Sequence, residues 1–153
     1  MRPSRPYRIC NKWINDIAGP STDCPTDIIF VVDESSSVGW RNFTLMKDFL
    51  SALVGRLDIN SGTTRVGLVT YSTAIDTQEA FNLNDYSSVV SVQSAIATLT
   101  YSLGRTYTHL ALRYVRTVML TSEAGDRPDV PNVVVVMTDG RSTDSTETQV
   151  CTV

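Results

Sequence analysis

The apolar positions of the chain change texture at Thr26. Ile28-Ile29-Phe30-Val31-Val32 is an unbroken β-branched and aromatic run that closes on Asp33, the pattern of a strand buried on both faces. A serine-rich turn follows to Gly39, and the spacing then becomes helical. Phe43, Met46, Leu50, Leu53, Val54 and Leu57 make one face across residues 41–57. A turn at Asn60-Ser61-Gly62 leads into a second strand, Arg65–Ser72. Glu79–Leu83 reads as a short strand, and Val89–Leu99 as a helix carrying Val90, Val92, Ile96 and Leu99. Thr108–Ser122 reads as a stronger helix. Its Ala111, Val115, Val118 and Met119 share a face, and Gly125 is its C-terminal stop. Asp126–Pro131 is a loop, and Val133–Met137 is a further apolar strand running into Thr138-Asp139-Gly140.

Strands alternating with helices predict an α/β fold: a doubly wound, mostly parallel sheet with helices on both faces. Segments 28–33, 65–72 and 133–138 form its centre and 79–83 an edge. Ligands of such sheets bind beyond the carboxyl ends of the strands. Asp33 and Asp139 each directly follow a buried strand, so both are placed at that crevice. Residues 1–25 hold four of the six prolines and two of the three cysteines. They read as a leader, with the domain at 26–153.

Charge and composition narrow the function classes. The net charge is −3, and the only basic cluster is Arg2, Arg5 and Arg8, which argues against nucleic-acid binding. The longest apolar run is strand-sized, far short of the roughly 18–20 residues of a membrane helix, so no membrane insertion is expected. No apolar segment follows Met1, so the sequence as written shows no secretion signal. The cysteines are Cys10, Cys24 and Cys151. Their odd number leaves one unpaired within the chain, and with no Cys-x-x-Cys or His/Cys cluster a zinc site is not expected.

The chemistry concentrates in Asp33-Glu34-Ser35-Ser36-Ser37. In a loop with this D-x-S-x-S pattern alternate side chains converge, and one carboxylate with two hydroxyls makes hard oxygen ligands suited to Mg²⁺, Mn²⁺ or Ca²⁺. The alternative is a capping turn, with Ser35 or Ser37 bonding the first N–H groups of the next helix. Two further segments bear on the choice: Gly104-Arg105-Thr106-Tyr107-Thr108 ahead of a helix, and Thr138-Asp139-Gly140 at a strand end. Glu34 falls at a variable position and is expected to be exposed. Trp13 and Trp40 are expected to pack, with Trp40 also close enough to the loop to flank a ligand surface. The single histidine, His109, is expected in a packing or solvent-facing role.

The segments IIFVVDESSSVG (28–39), NFTLMKDFLSALVGRL (42–57), TRVGLVTYS (64–72), LGRTYTHLAL (103–112) and VVVVMTDGRSTD (133–144) together resemble the von Willebrand factor type A domain. The likeness is greatest to extracellular-matrix members such as matrilins and collagen VI, and GRTYT is also similar to integrin inserted domains. The resemblance implies a metal-ion-dependent adhesion site built from Asp33, Ser35 and Ser37 in the first loop, Thr106 in the second and Asp139 in the third. It implies that Ser35, Ser37 and Thr106 meet the ion through hydroxyls, with Asp33 and Asp139 acting directly or through water. Thr108 and Gly140 would be structural neighbours.

Such a donor set leaves the ion under-neutralised, so that a Glu or Asp of a partner completes its shell. The implied function is divalent-cation-dependent protein binding in an adhesion or matrix setting. The implied cofactor is Mg²⁺, or Mn²⁺ or Ca²⁺ in its place. The implied partner class is a matrix protein such as collagen, and the location extracellular.

Asn42-Phe43-Thr44 is an N-glycosylation sequon; Cys10 with Cys24 can close a loop in an oxidising compartment, or, as the resemblance equally implies, Cys24 pairs with a cysteine beyond this chain. Against the family pattern the chain ends early. The resemblance implies that the last strands are absent, with Val133–Met137 left as an exposed edge open to self-association. Two other functions remain: an intracellular scaffold module of the same fold, and a hydrolase in which Ser37, His109 and Asp139 form a triad. For the hydrolase, the first glycine of the nucleophile elbow is missing and the Ser–His–Asp order is wrong.

Overall fold

A computed structural model describes residues 25–140, 142 and 143. The elements run β1 (Thr26–Asp33), α1 (Trp40–Val54), β2 (Thr64–Tyr71), β3 (Ile75–Phe81), α2 (Val89–Thr98), α3 (Thr108–Tyr114) and β4 (Asn132–Met137). The sheet order is β3-β2-β1-β4. Strand β1 is parallel to both neighbours, with Asp33 opposite Tyr71 and Val32 opposite Met137. Strand β3 is antiparallel to β2. This is the expected α/β architecture.

Alternation along β1 and β2 divides the core into two layers. Phe30, Val32, Val66 and Leu68 pack with Phe43, Leu50 and Val54 of α1 and with Val92 and Ile96 of α2. Ile29, Val31, Val69 and Tyr71 pack with Ala111, Val115 and Met119 on the opposite face. Both faces of β1 are therefore covered, which is why its sequence is a continuous apolar run. No helix among the described residues is long and apolar enough to cross a membrane.

Several expectations need correction. Strand β3 starts at Ile75 rather than Glu79. A register shift between Leu68 and Thr70 lets Asp76 pair opposite Thr70, so polar residues occupy an edge strand that apolar patterning could not reveal. The helix expected over 108–122 is α-helical only to Tyr114, and Val115–Met119 is a π turn. The extra residue per turn keeps Val115 and Met119 buried and turns Val118 outward. The chain leaves the helix at Leu120, and Gly125 (φ +90°) serves a later turn instead of stopping the helix. Trp40 does not pack: it is 68% exposed at the start of α1. Strand β4 forms the sheet edge among the described residues, with Val133 and Val136 exposed.

One structural pair escaped the sequence pattern altogether. Asp27, at the start of β1, is fully buried. Arg127, from the loop before β4, donates to it from Nη2 (2.6 Å), Nε (2.9 Å) and the backbone N–H (3.0 Å). The same guanidinium donates to the carbonyls of Gly62, Thr26 and Thr63. It thereby ties the amino ends of β1 and β2 together, at the opposite end of the sheet from Asp33 and Asp139.

Candidate metal centre

The three loops singled out in the sequence meet at the carboxyl ends of β1 and β4. Asp33 is the last residue of β1 and is fully buried. Its Oδ1 accepts the Ser35 N–H at 2.9 Å, and its Oδ2 accepts the Thr138 hydroxyl at 2.7 Å. The carboxylate thus shapes the first loop and reaches the third.

The Ser35 hydroxyl sits between two others. It shares a hydrogen bond of 3.1 Å with Ser37 and accepts the Thr106 hydroxyl at 2.8 Å. Ser35 and Thr106 are buried, whereas Ser37 and Asp139 are exposed. The serine hydroxyls form no side-chain cap on α1, which removes the capping alternative for this loop.

The second loop is held on both sides. The Ser36 hydroxyl accepts the Gly104 N–H (2.9 Å), and the Ser36 N–H donates to the Gly104 carbonyl (3.1 Å). Thr143 clasps Thr106 through two bonds, its hydroxyl accepting the Thr106 N–H (3.0 Å) and its N–H donating to the Thr106 carbonyl (2.7 Å). A Cβ on Gly104 would stand 2.6 Å from Thr73 Oγ1, the oxygen that accepts the Arg105 N–H. Gly104→Ala is therefore expected to displace the loop and lower divalent-ion affinity about tenfold, the range of supporting-shell defects. Calorimetric titration of Mn²⁺ against both proteins checks this.

Tyr71, paired with Asp33 across the sheet, was not singled out in the sequence. Burial raises its hydroxyl above the usual tyrosine value, the Thr108 bond lowers it, and Asp33 and Asp139 add to the rise. Asp139, exposed in the third loop, directly follows Thr138, whose hydroxyl bonds Asp33. Thr108 shares a 3.1 Å hydrogen bond with Tyr71. Thr138, Ser142 and Thr143 were also missed; the last two lie in the quoted DGRSTD stretch, and only their backbone path shows that they close on Thr106.

The donor set fits a small hard cation. In an octahedral Mg²⁺ shell with bonds of about 2.1 Å, neighbouring ligands stand about 3.0 Å apart. The Thr106–Ser35 and Ser35–Ser37 oxygen separations are 2.8 and 3.1 Å. Neutral hydroxyls gathered at that spacing beside a buried carboxylate offer hard oxygen ligands.

Glu34 contradicts its expected exposure: it is 2% exposed. Its N–H donates to the Tyr71 carbonyl (3.0 Å), extending the β1 pairing by one residue. Alternation then turns the side chain to the face opposite Asp33. Burial raises its carboxyl above the usual range. The Ser102 hydrogen bond lowers it, the like charges of Asp76 and Glu79 raise it, and the nearby Thr70 hydroxyl lowers it.

Asn42 is exposed on α1, and its amide nitrogen donates to the Val38 carbonyl (2.8 Å). The His109 ring packs edge-on against Tyr107 with centroids 5.8 Å apart, while Ser37 pairs with Ser35. Cys10, Cys24 and Cys151 lie outside the described residues.

Comparison with known proteins identifies the family. The family description "von Willebrand factor type A domain" matches residues 27–152. The collagen alpha-4(VI) chain of Mus musculus is 42% identical over 125 residues, spanning 80% of this chain and 5% of that protein. Matrilin-1 of Homo sapiens is 35% identical over 133 residues, 87% of this chain and 26% of that one. The chain thus spans a small part of the relatives it matches. Among solved structures, proximal thread matrix protein 1 from the mussel byssus, with a zinc-occupied MIDAS motif, superposes with a TM-score of 0.68. It is 31% identical, over 80% of this chain and 30% of that one.

Proposed function

The chain belongs to the von Willebrand factor type A family, and from that premise we propose that it is a cation-dependent protein-binding module of the extracellular matrix. It is a non-enzymatic member, similar to collagens and matrilins. The observation that carries the proposal is the cluster of Ser35, Ser37 and Thr106 hydroxyls beside buried Asp33, spaced as neighbouring ligands of Mg²⁺ or Mn²⁺.

In this reading Ser35, Ser37 and Thr106 hold the ion through neutral oxygens, and Asp33 and Asp139 act directly or through water. Ca²⁺ is the larger alternative. When bound, the ion supplies a positive charge that three neutral hydroxyls do not cancel, and a Glu or Asp of the partner supplies the missing anion.

The other roles belong to the chain itself. Asp33 orients Ser35 and Thr138, Thr143 fixes Thr106, and exposed Ser37 and Asp139 mark the open side from which the partner arrives. Exposed Trp40 follows the first loop directly and offers an apolar contact at its rim. The partner class is a matrix protein such as a collagen, in keeping with the relatives. A leader at 1–25 with a Cys10–Cys24 bridge, a domain at 26–153, a glycan on Asn42 and self-association along β4 belong to the same extracellular reading. A glycan on Asn42 would require its amide to release Val38.

Binding to immobilised collagens and other matrix proteins, with and without chelator, tests the proposal. Retention is expected in Mg²⁺, and loss in EDTA and in Thr106→Ala. Retention unchanged by EDTA, with Thr106→Ala folded and still bound, would overturn it.

A further inference from the structure

Beneath the second loop lies a group of acids that the first site does not use. One carboxylate oxygen from each of Glu34, Asp76 and Glu79 lies within 4.8 Å of the others. Glu34 and Asp76 line an open cleft of about 380 Å³ together with Ser72 and Ser102.

Acids alone would not define a site, but two neighbouring buried polar atoms here, one on Glu34 and one on Thr70, make no hydrogen bond of ordinary length. Glu34 is 2% exposed, and although its Oε1 accepts the Ser102 hydroxyl at 2.7 Å, its Oε2 has no hydrogen bond. Thr70 is fully buried, and its hydroxyl also has none. Thr70 stands opposite Asp76 in the β2–β3 register, so the two side chains share a face of the sheet. A buried carboxylate facing like charges, with an idle oxygen, is costly unless a proton neutralises it or a cation completes it, and the convergence of three acids favours the cation.

We propose that Glu34, Asp76 and Glu79 hold a second divalent cation of the calcium class, distinct from the ion of the adhesion site. Ligand type separates the two. Calcium takes several carboxylate oxygens in a flexible shell, which three converging acids offer, whereas the first site gathers mainly neutral hydroxyls.

Adjacent residues at the end of β1 serve the two sites from opposite faces, Asp33 the first and Glu34, just beyond the strand, the second. The acids also anchor the second loop. Glu79 accepts both the N–H (2.9 Å) and the hydroxyl (2.6 Å) of Thr100, and Glu34 accepts Ser102. That loop carries Thr106. A second ion would therefore brace the strand of chain that presents a ligand to the first.

Calcium titration by calorimetry, on the wild type, Asp76→Asn/Glu79→Gln and Asp139→Ala, tests this. Asn and Gln keep the amide oxygens that can still accept the Gln78, Glu79 and Thr100 bonds. Two bound ions are expected in the wild type. The double variant should lose one, with affinity at that site down tenfold or more, while Asp139→Ala should retain it. If the double variant does not fold by circular dichroism, Glu79→Gln alone gives the same reading.

A folded double variant with the wild-type isotherm would overturn the second site and leave the first standing. Loss in the double variant with Asp139→Ala unchanged would support the second site and count against the first. No calcium binding to any of the proteins would overturn the second site outright.

Discussion

Arg127→Ala is expected to lower the unfolding free energy by about 3–5 kcal/mol, the cost of leaving one partner of a buried pair uncompensated. Asp27 is fully buried, and its two oxygens take three bonds from Arg127. The alanine would remove the two guanidinium bonds and abandon a charge where water does not reach. It would also release the carbonyls of Gly62, Thr26 and Thr63 from their shared donor. Chemical denaturation of the two proteins measures the difference, and a double variant that also carries Asp27→Asn should recover part of the loss. A change below about 1 kcal/mol, the scale of exposed ion pairs, would show that the pair is not the clamp described.

The second large effect falls on the ion. Asp33→Asn keeps the shape of the side chain but removes its charge and one of its two acceptors. The Ser35 N–H and the Thr138 hydroxyl cannot both be satisfied as they are now. Affinity for Mg²⁺ or Mn²⁺ is expected to fall about 100-fold, the upper end of what supporting residues around metals contribute, because Asp33 supports the loops and supplies a fully buried charge beside the hydroxyls. Equal calorimetric heats from wild type and Asp33→Asn would remove Asp33 from the site.

The parts of the fold that were legible in the sequence are those where burial is two-sided. Ile28–Val32 and Val66–Val69 read as strands because no water-facing position interrupts them. The α1 face was legible from Phe43, Leu50 and Val54, which all reach the core.

What stayed hidden depends on neighbours far away in the chain. Glu34 is buried because its backbone continues to pair with Tyr71, and nothing in a serine-rich turn announces that pairing. Asp27 and Arg127 are 100 residues apart, and only the closed sheet makes them partners. Trp40 misled because apolar residues are often, but not always, inside. The site's residue types were visible as motifs in three loops. The clasp of Thr143 on Thr106 and the pairing of Tyr71 with Asp33 across the sheet required the folded chain.

Soaking crystals in manganese and mapping the anomalous signal tests the central claim most directly. A peak is expected at bonding distance from the Ser35, Ser37 and Thr106 hydroxyls, with Asp33 and Asp139 beside it directly or through water. A map without a peak there, in which the three hydroxyls remain bonded only to one another, would contradict it.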